Sequence, residues 1–354
     1  MKYSIIVPVY NRPDEIDELL QSVCQQTITD FEVIVVEDGS KVDCKHVVEK
    51  YSQQISIQYY YKENTGPGQS RNYGVERAKG EYVLIVDSDA VLPAGYLKAI
   101  DDELRKQPCD AFGGPDASHP SFTPIQKAIS YSMTSFFTTG GIRGGKKQME
   151  KFHPRSFNMG VRRDVYLQLG GFSPMRFSKM SLYGEDIDFS IRIFRGGYSC
   201  RLFPEAWVWH KRRTDFKKFW HQVYNSGLAR INLYKKYPEA LKLVHALPAV
   251  FTMGVVGCLL LFTLGAALFI EGEWLDANGL RPTDNMHQGV GFVLCVLGIL
   301  PLLLYSTVIF IDSSIRNRSL YVGLLSIPSS FIQLVGYGVG FMEAWWQRCV
   351  MKKG

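Results

Sequence analysis

Two stretches without a charged residue, Leu247 to Ile270 and Val290 to Ile311, set the strongest limit on what this chain can fold into. At ~1.5 Å of rise per helical residue, each reaches across the ~30 Å hydrocarbon core of a bilayer, where a chain must satisfy its own backbone groups. Both are expected to be membrane-crossing helices. A third uncharged stretch, Leu320 to Met342, contains Pro328, Gln333 and several Ser and Gly residues, which suits a span, a re-entrant segment or an interfacial helix.

The charges around these stretches give an orientation. Nine Lys or Arg residues lie between Lys211 and Lys242, against only Asp215 and Glu239, within a net charge of +6 for the 354 residues. Such an excess belongs on a cytoplasmic flank and attracts anionic headgroups. Phe219, Trp220, Tyr224, Leu228 and Tyr234 interleave with these cations, as in a helix lying on a membrane surface. Nucleic-acid binding, the other use of such a mixture, fits poorly beside membrane segments. The loop Glu271 to Gln288 carries Glu271, Glu273, Asp276 and Asp284 with only Arg281 as a strong base, and so belongs outside. The chain begins directly on a strand pattern, so no cleavable signal peptide is expected. Seven cysteines without CxxC pairing argue against a disulfide or zinc framework and for a reducing compartment.

The first 215 residues alternate strands with helices, which predicts an α/β domain with a mainly parallel sheet. Apolar runs at Tyr3 to Val9, Phe31 to Val36, Ile55 to Tyr61 and Tyr82 to Val86 have the length of strands buried on both faces. Helical spacing follows over Asp14 to Gln26, Val47 to Tyr51 and Ala94 to Gln107, and a short strand is expected near Ala111 to Gly114. From Pro115 to Phe152 no clear period emerges, and Gly140-Gly-Ile-Arg-Gly-Gly145 reads as a mobile loop. Ala206 to His210 reads as a last strand. The expected organisation is an α/β domain over 1–215, a basic amphipathic segment over 216–246 and a membrane domain over 247–354.

The chemistry-bearing residues gather where strands end. Asp87 and Asp89 follow the run Tyr82 to Val86, and in open α/β sheets ligands bind outside the carboxyl ends of strands. Residues i and i+2 of extended chain point the same way, so both carboxylates can face one divalent cation held against a ligand's phosphates. Taken alone, Asp-Ser-Asp is also a common turn that merely ends a strand. The loop Asn64-Thr-Gly-Pro-Gly68 opens a helix whose free amides suit phosphate, and Arg71 supplies a forked cation. Glu185 and Asp186 begin another helix, a position the helix dipole favours for any acid. His210 ends a strand.

In their order, Val7-Pro-Val-Tyr-Asn11, Glu37-Asp-Gly-Ser40, Asn64-Thr-Gly-Pro-Gly68 with Ser70-Arg-Asn-Tyr-Gly74, Gly80-Glu-Tyr82 with Asp87-Ser-Asp89, Phe157-Asn-Met-Gly160, Gly170-Gly-Phe172 and Gly184-Glu-Asp186 resemble the family 2 glycosyltransferases. The resemblance covers about residues 1 to 240. It implies a GT-A fold: a Rossmann-like, mixed, mainly parallel sheet flanked by helices, here followed by C-terminal membrane helices. It further implies a nucleotide-sugar donor, a divalent cation (Mg²⁺ or Mn²⁺) and inversion at the anomeric carbon. Carried over, the family pattern places Pro8 and Tyr10 beside the nucleobase, Asp38 on its edge, and Arg71 near the base or diphosphate, with Gly68 and Asn158 also on the donor. It gives Asp87 and Asp89 to ribose and metal, His210 to the metal, and Asp186, with Glu185 beside it, to general-base catalysis. Glu37 stands where many members carry Asp, and no Gln-x-x-Arg-Trp follows the base, so one sugar per encounter is expected.

The function expected from this resemblance is metal-dependent transfer of a sugar to a saccharide or lipid-linked acceptor in cell-envelope polysaccharide synthesis. The expected place is a bacterial inner membrane, among its lipids, with the catalytic domain cytoplasmic. A sugar nucleotidyltransferase and a non-catalytic nucleotide-sugar-binding membrane protein are the rival readings.

Overall fold

The computed structural model describes residues 1–140, 152–173, 184–277 and 286–351. The chain forms two compact units, one from Met1–Phe122 and Gly141–Arg212, the other from Thr123–Gly140 and Arg213–Gly354.

The first unit is built on the runs that are buried on both faces. Strands β1 (Tyr3–Val9), β2 (Phe31–Asp38), β3 (Ile57–Lys62) and β4 (Tyr82–Val86) pair in parallel in the order β3-β2-β1-β4. Alternation along each strand sorts its residues into two cores. Ile5, Val7, Val33, Val35, Leu84 and Val86 pack with α1 (Pro13–Cys24), α2 (Lys45–Tyr51) and, beyond α3 (Pro67–Arg77), with α4 (Tyr96–Lys106). Ile6, Ile34, Val36, Val83 and Ile85 face the opposite way, onto Val75 of α3. Gly74 permits that approach, since a Cβ there would lie 2.6 Å from Ile6 Cγ2.

Beyond β4 the parallel pattern breaks. A turn leads into β5 (Ala90–Val91), and after β6 (Ala111–Gly113) and β7 (Asp116–Ala117) the chain returns as β8 (Asn158–Arg162). β8 runs antiparallel to both β4 and β6, and the main sheet closes with β9 (Cys200–Leu202) parallel to β6. The expected last strand is shorter, β10 (Val208–His210), and it lies in a second, three-stranded sheet between β5 and β7. Two helices cover the later strands: α7 (Arg163–Gln168) and α8 (Glu185–Arg195) add Val165, Phe189 and Ile193 to the core that holds Val75.

The aperiodic segment after Pro115 contains helices α5 (Pro124–Thr134) and α6 (Phe136–Thr139), and both belong to the second unit. α5 buries Gln126, Ala128, Ile129, Ser130, Tyr131, Ser132 and Met133, so nearly every face is covered and no amphipathic period can show. Of the expected Gly140–Gly145 loop, Gly140 caps α6 with φ +61°, and the remainder lies outside the described residues.

The second unit adds α9 (Phe216–Lys236), α10 (Leu247–Ala277), α11 (Met286–Asn317), α12 (Leu320–Phe331) and α13 (Tyr337–Trp345). Among the described residues, three helices are long and apolar enough to cross a membrane: Leu243–Trp274, His287–Asn317 and Leu320–Val350. The third stretch of the sequence is therefore one 31-residue helical run, which widens to π-helical turns at Ile332–Gly336 and Trp346–Val350. Its interior is polar: Ser329 bonds Ser132 of α5 at 2.9 Å and Ser326 bonds Ser313 of α11 at 2.6 Å. Small residues let these helices approach, as at Gly298, where a Cβ would lie 2.5 Å from the Cys258 carbonyl oxygen.

A core glycine tests the packing of the antiparallel strand. At Gly160 a Cβ would lie 2.1 Å from the Phe112 ring, which is itself backed by the stacked ring of Phe203 with centroids 4.5 Å apart. Gly160→Ala is expected to cost about 1–3 kcal/mol through overpacking and to lower the thermal midpoint by several degrees. Thermal unfolding of the purified full chain checks this, and an unchanged midpoint would show that the ring has room to move.

Candidate active site

The site forms where β4 ends and the second sheet begins. Asp87 follows the last residue of β4, and the Ala90 amide donates to the Asp87 carbonyl at 3.0 Å to close the turn. Strand β10 pairs antiparallel with β5, setting His210 opposite Ala90, and the Lys211 amide donates to the Asp89 carbonyl at 3.2 Å. Chain segments more than a hundred residues apart are thus joined at one turn.

The result is a three-residue cluster. One side-chain atom from each of Asp87, Asp89 and His210 lies within 4.8 Å of the others. His210 Nε2 is 3.2 Å from Asp89 Oδ1 and 3.9 Å from Asp87 Oδ2, and its ring stacks on Phe157 at 4.8 Å. The remaining oxygens are held by cations: Arg71 Nη2 donates to Asp87 Oδ1 at 2.7 Å and Arg12 Nη1 to Asp89 Oδ2 at 2.5 Å. Burial pushes the Asp89 carboxyl up, but His210 and Arg12 outweigh it and hold the group below the usual carboxylate range. Burial likewise lowers His210, and the Asp89 carboxylate reverses this, leaving the imidazole raised.

The donor set fits a divalent cation. Asp89 Oδ1 is buried and faces His210 Nε2 at 3.2 Å, so a carboxylate oxygen and an imidazole nitrogen are turned toward one point. Carboxylate oxygens with one imidazole nitrogen suit Mn²⁺, and the carboxylates alone suit Mg²⁺.

The other expected site residues fall into two groups. Those with their polar atoms already engaged include Asp38, which accepts from the amides of Thr65 and Gly66 at 3.0 Å each and from the Lys62 ammonium, folding the glycine loop onto the end of β2. Asn158 is also engaged: its amide donates to the Ala206 carbonyl and its oxygen accepts from the Tyr96 hydroxyl, both at 2.8 Å. More open are Pro8, half-buried on β1, and Tyr10, exposed beside Asn11, whose φ is +53°.

The two acids at the start of α8 have separate surroundings. Asp186 is half-buried, accepts from the Ile187 amide at 2.9 Å and lies 3.4 Å from Arg155 Nη1. Glu185 is buried against Gly68, where a Cβ would lie 2.3 Å from Glu185 Oε2, so glycine is the residue that leaves room for the carboxyl. Two contributors escaped the sequence reading. Arg12 stands just past β1 at the same rim, and Phe157 adjoins Asn158; only the fold puts them on Asp89 and His210.

Burial pushes the Glu185 carboxyl up to about 7, against the pull of Arg71. The folded protein therefore favours the protonated acid. That stabilisation is complete below the unfolded value of about 4.5 and is lost as pH rises through about 7, a loss of about 3 kcal/mol at ~1.4 kcal/mol per unit. Glu185→Gln should remove this component, so unfolding of wild type and variant at about pH 5 and pH 8 should show the steeper decline in wild type. Equal declines would rule out a buried carboxyl there.

Residues 4–170 match the model of glycosyl transferase family 2. Poly(ribitol-phosphate) beta-N-acetylglucosaminyltransferase TarS of Staphylococcus aureus (strain Mu50) is 42% identical over 102 residues, 28% of this chain and 18% of that protein. The uncharacterized glycosyltransferase EpsJ of Bacillus subtilis (strain 168) is 26% identical over 209 residues, 57% of this chain and 59% of that protein. The chain thus spans less than two thirds of the length of these relatives. A mannosyltransferase of Pyrobaculum calidifontis, solved with GDP-Man and Mn²⁺, aligns over 96% of this chain and 87% of that one, with a TM-score of 0.53 at 15% identity, a likeness of fold. With the mixed sheet and the acidic turn at the end of β4, the chain has the fold of GT-A glycosyltransferases, and its residues 4–170 are similar to glycosyl transferase family 2.

Proposed function

We propose that this chain is a membrane-anchored inverting glycosyltransferase that moves a sugar from a nucleotide-sugar donor to a hydroxyl of a saccharide or lipid-linked acceptor. The observation that carries this reading is the cluster of Asp87, Asp89 and His210 at the carboxyl end of β4, with Asp89 Oδ1 buried and turned to His210 Nε2. These three residues would hold a divalent cation, which supplies charge that stabilises the departing diphosphate. Arg71 adds a forked cation at the same rim. Pro8 and Tyr10 line the nucleobase side, and the loop closed by Asp38 with Gly68 presents its backbone to the donor. Asn158 fixes the wall on the other side of β4.

A sugar hydroxyl is a poor nucleophile, so a carboxylate must take its proton during attack. Asp186 has that role in this reading, because it is less buried than Glu185 and Asp188 on the same turn of α8. Glu185 supports it from inside. The three long apolar helices anchor the chain in an inner membrane, with the basic α9 and the catalytic domain on the cytoplasmic side.

The test is a screen of sugar nucleotides for thermal stabilisation of the full chain with Mn²⁺ or Mg²⁺, followed by transfer assays with the hit. Asp186→Asn should lower turnover by roughly 10²–10⁴-fold while nucleotide binding by calorimetry persists. Asp89→Ala should abolish metal-dependent transfer without unfolding the protein. Full turnover in the first variant rejects the base, and full metal-dependent turnover in the second rejects the metal seat.

A further inference from the structure

Both metal-facing carboxylates are already paired with guanidiniums. Arg12 Nη1 lies 2.5 Å from Asp89 Oδ2, Arg71 Nη2 lies 2.7 Å from Asp87 Oδ1, and both guanidiniums are charged at any working pH. Asp87, Asp89, Arg12 and Arg71 together sum to zero, and His210, the third member of the cluster, brings no negative charge. Of the charges nearby, Glu15 sits 3.7 Å from Arg12 Nε and Arg212 is paired with Asp116 at 2.5 Å.

A neutral seat attracts a divalent cation weakly. Once a cation enters, the seat carries two excess positive charges, which match a nucleoside diphosphate ester bearing one negative charge on each phosphoryl group. We propose that Arg12 is the residue that makes cation binding contingent on the nucleotide. By cancelling the charge of Asp89, it keeps the empty seat from trapping metal, and by standing at the rim it adds to the positive field that the diphosphate meets. Cation and nucleotide then raise each other's affinity by the same factor, as linkage requires. Arg12 is suited to this because its side chain is about one-third exposed, whereas that of Arg71 is 7% exposed and locked under Phe172, 5.2 Å from the ring centroid. This inference rests on the proposed metal site.

The test is a Mn²⁺ titration of the full chain in detergent, followed by electron paramagnetic resonance, with and without UDP or GDP. Wild type should bind Mn²⁺ weakly alone and at least tenfold more tightly with the nucleotide that binds. Removing one positive charge beside a ligand carboxylate is worth on the order of tenfold or more for a divalent ion. Arg12→Gln should therefore bind Mn²⁺ alone about tenfold more tightly, bind the nucleotide more weakly, and show reduced coupling. Arg12→Lys should restore the wild-type pattern. Equal Mn²⁺ affinity in wild type and Arg12→Gln, with coupling intact, overturns the role of Arg12 and leaves the metal site standing. Absence of Mn²⁺ binding with either nucleotide, in wild type and Asp89→Asn alike, overturns the metal site and this inference with it.

Discussion

The antiparallel bridge between β5 and β10 is the constraint on which the rest of the first unit depends. Without it, Asp87 and Asp89 form a turn at the end of a strand, as acidic turns do in many proteins. With it, His210 is fixed opposite Ala90 and its ring is clamped by Phe157, so a third ligand atom arrives from the far end of the domain. Two backbone pairs hold this junction, Trp209 with Val91 and His210 with Ala90. So short a ladder is stable only where neighbouring elements exclude water, and Ala90, Leu92, Ala206 and Val208 beneath it are part of the larger core.

Much of the first unit was legible because its central strands are covered on both faces. Tyr3–Val9 and Tyr82–Val86 read as continuous apolar runs, and the structure keeps those bounds. The pairing of Asp87 with Asp89 followed from the period of two in extended chain. What a linear reading cannot supply is the partner of a side chain. Arg12 has no local signature that marks it as the counterion of a residue 77 positions away. Asp38 and Asn158 sit in recognisable motifs, yet the hydrogen bonds they make show a second duty: one ties down the glycine loop, the other joins β8 to the chain before β10. Helix α5 was hidden for the opposite reason, since a helix buried on nearly all sides has no polar face to set a period.

The second unit follows different physics. Its helices are apolar outward and polar inward, with Ser132, Ser313, Ser326 and Ser329 bonded in pairs and Tyr131 donating to Asp312 at 2.7 Å. On the proposed membrane reading, burial of apolar surface does not favour helix association, so small residues and internal hydrogen bonds must. This explains why the run from Leu320 to Val350, with its Ser, Gly and Gln content, looked ambiguous as a span. It is the helix with the largest share of its apolar window covered by neighbours, 44% against 6% and 11%, and so it needs the least lipid-facing character.

The same separation of environments operates at atomic scale on α8. Consecutive residues on a helix point ~100° apart, so Glu185 and Asp186 cannot share a fate. One turns inward onto Gly68, where burial pushes its carboxyl up to about 7; the other turns outward to Arg155 and keeps contact with solvent. A base must be reachable by the group it deprotonates, and on the proposed reading the half-buried Asp186 meets that condition. The buried Glu185 has another use. It fills the space beside the first turn of α3, whose Arg71 reaches Asp87, so α8 meets α3 at Gly68. Enlarging that glycine would therefore displace the Glu185 carboxyl, and with it both the start of α8 beside Asp186 and the first turn of α3.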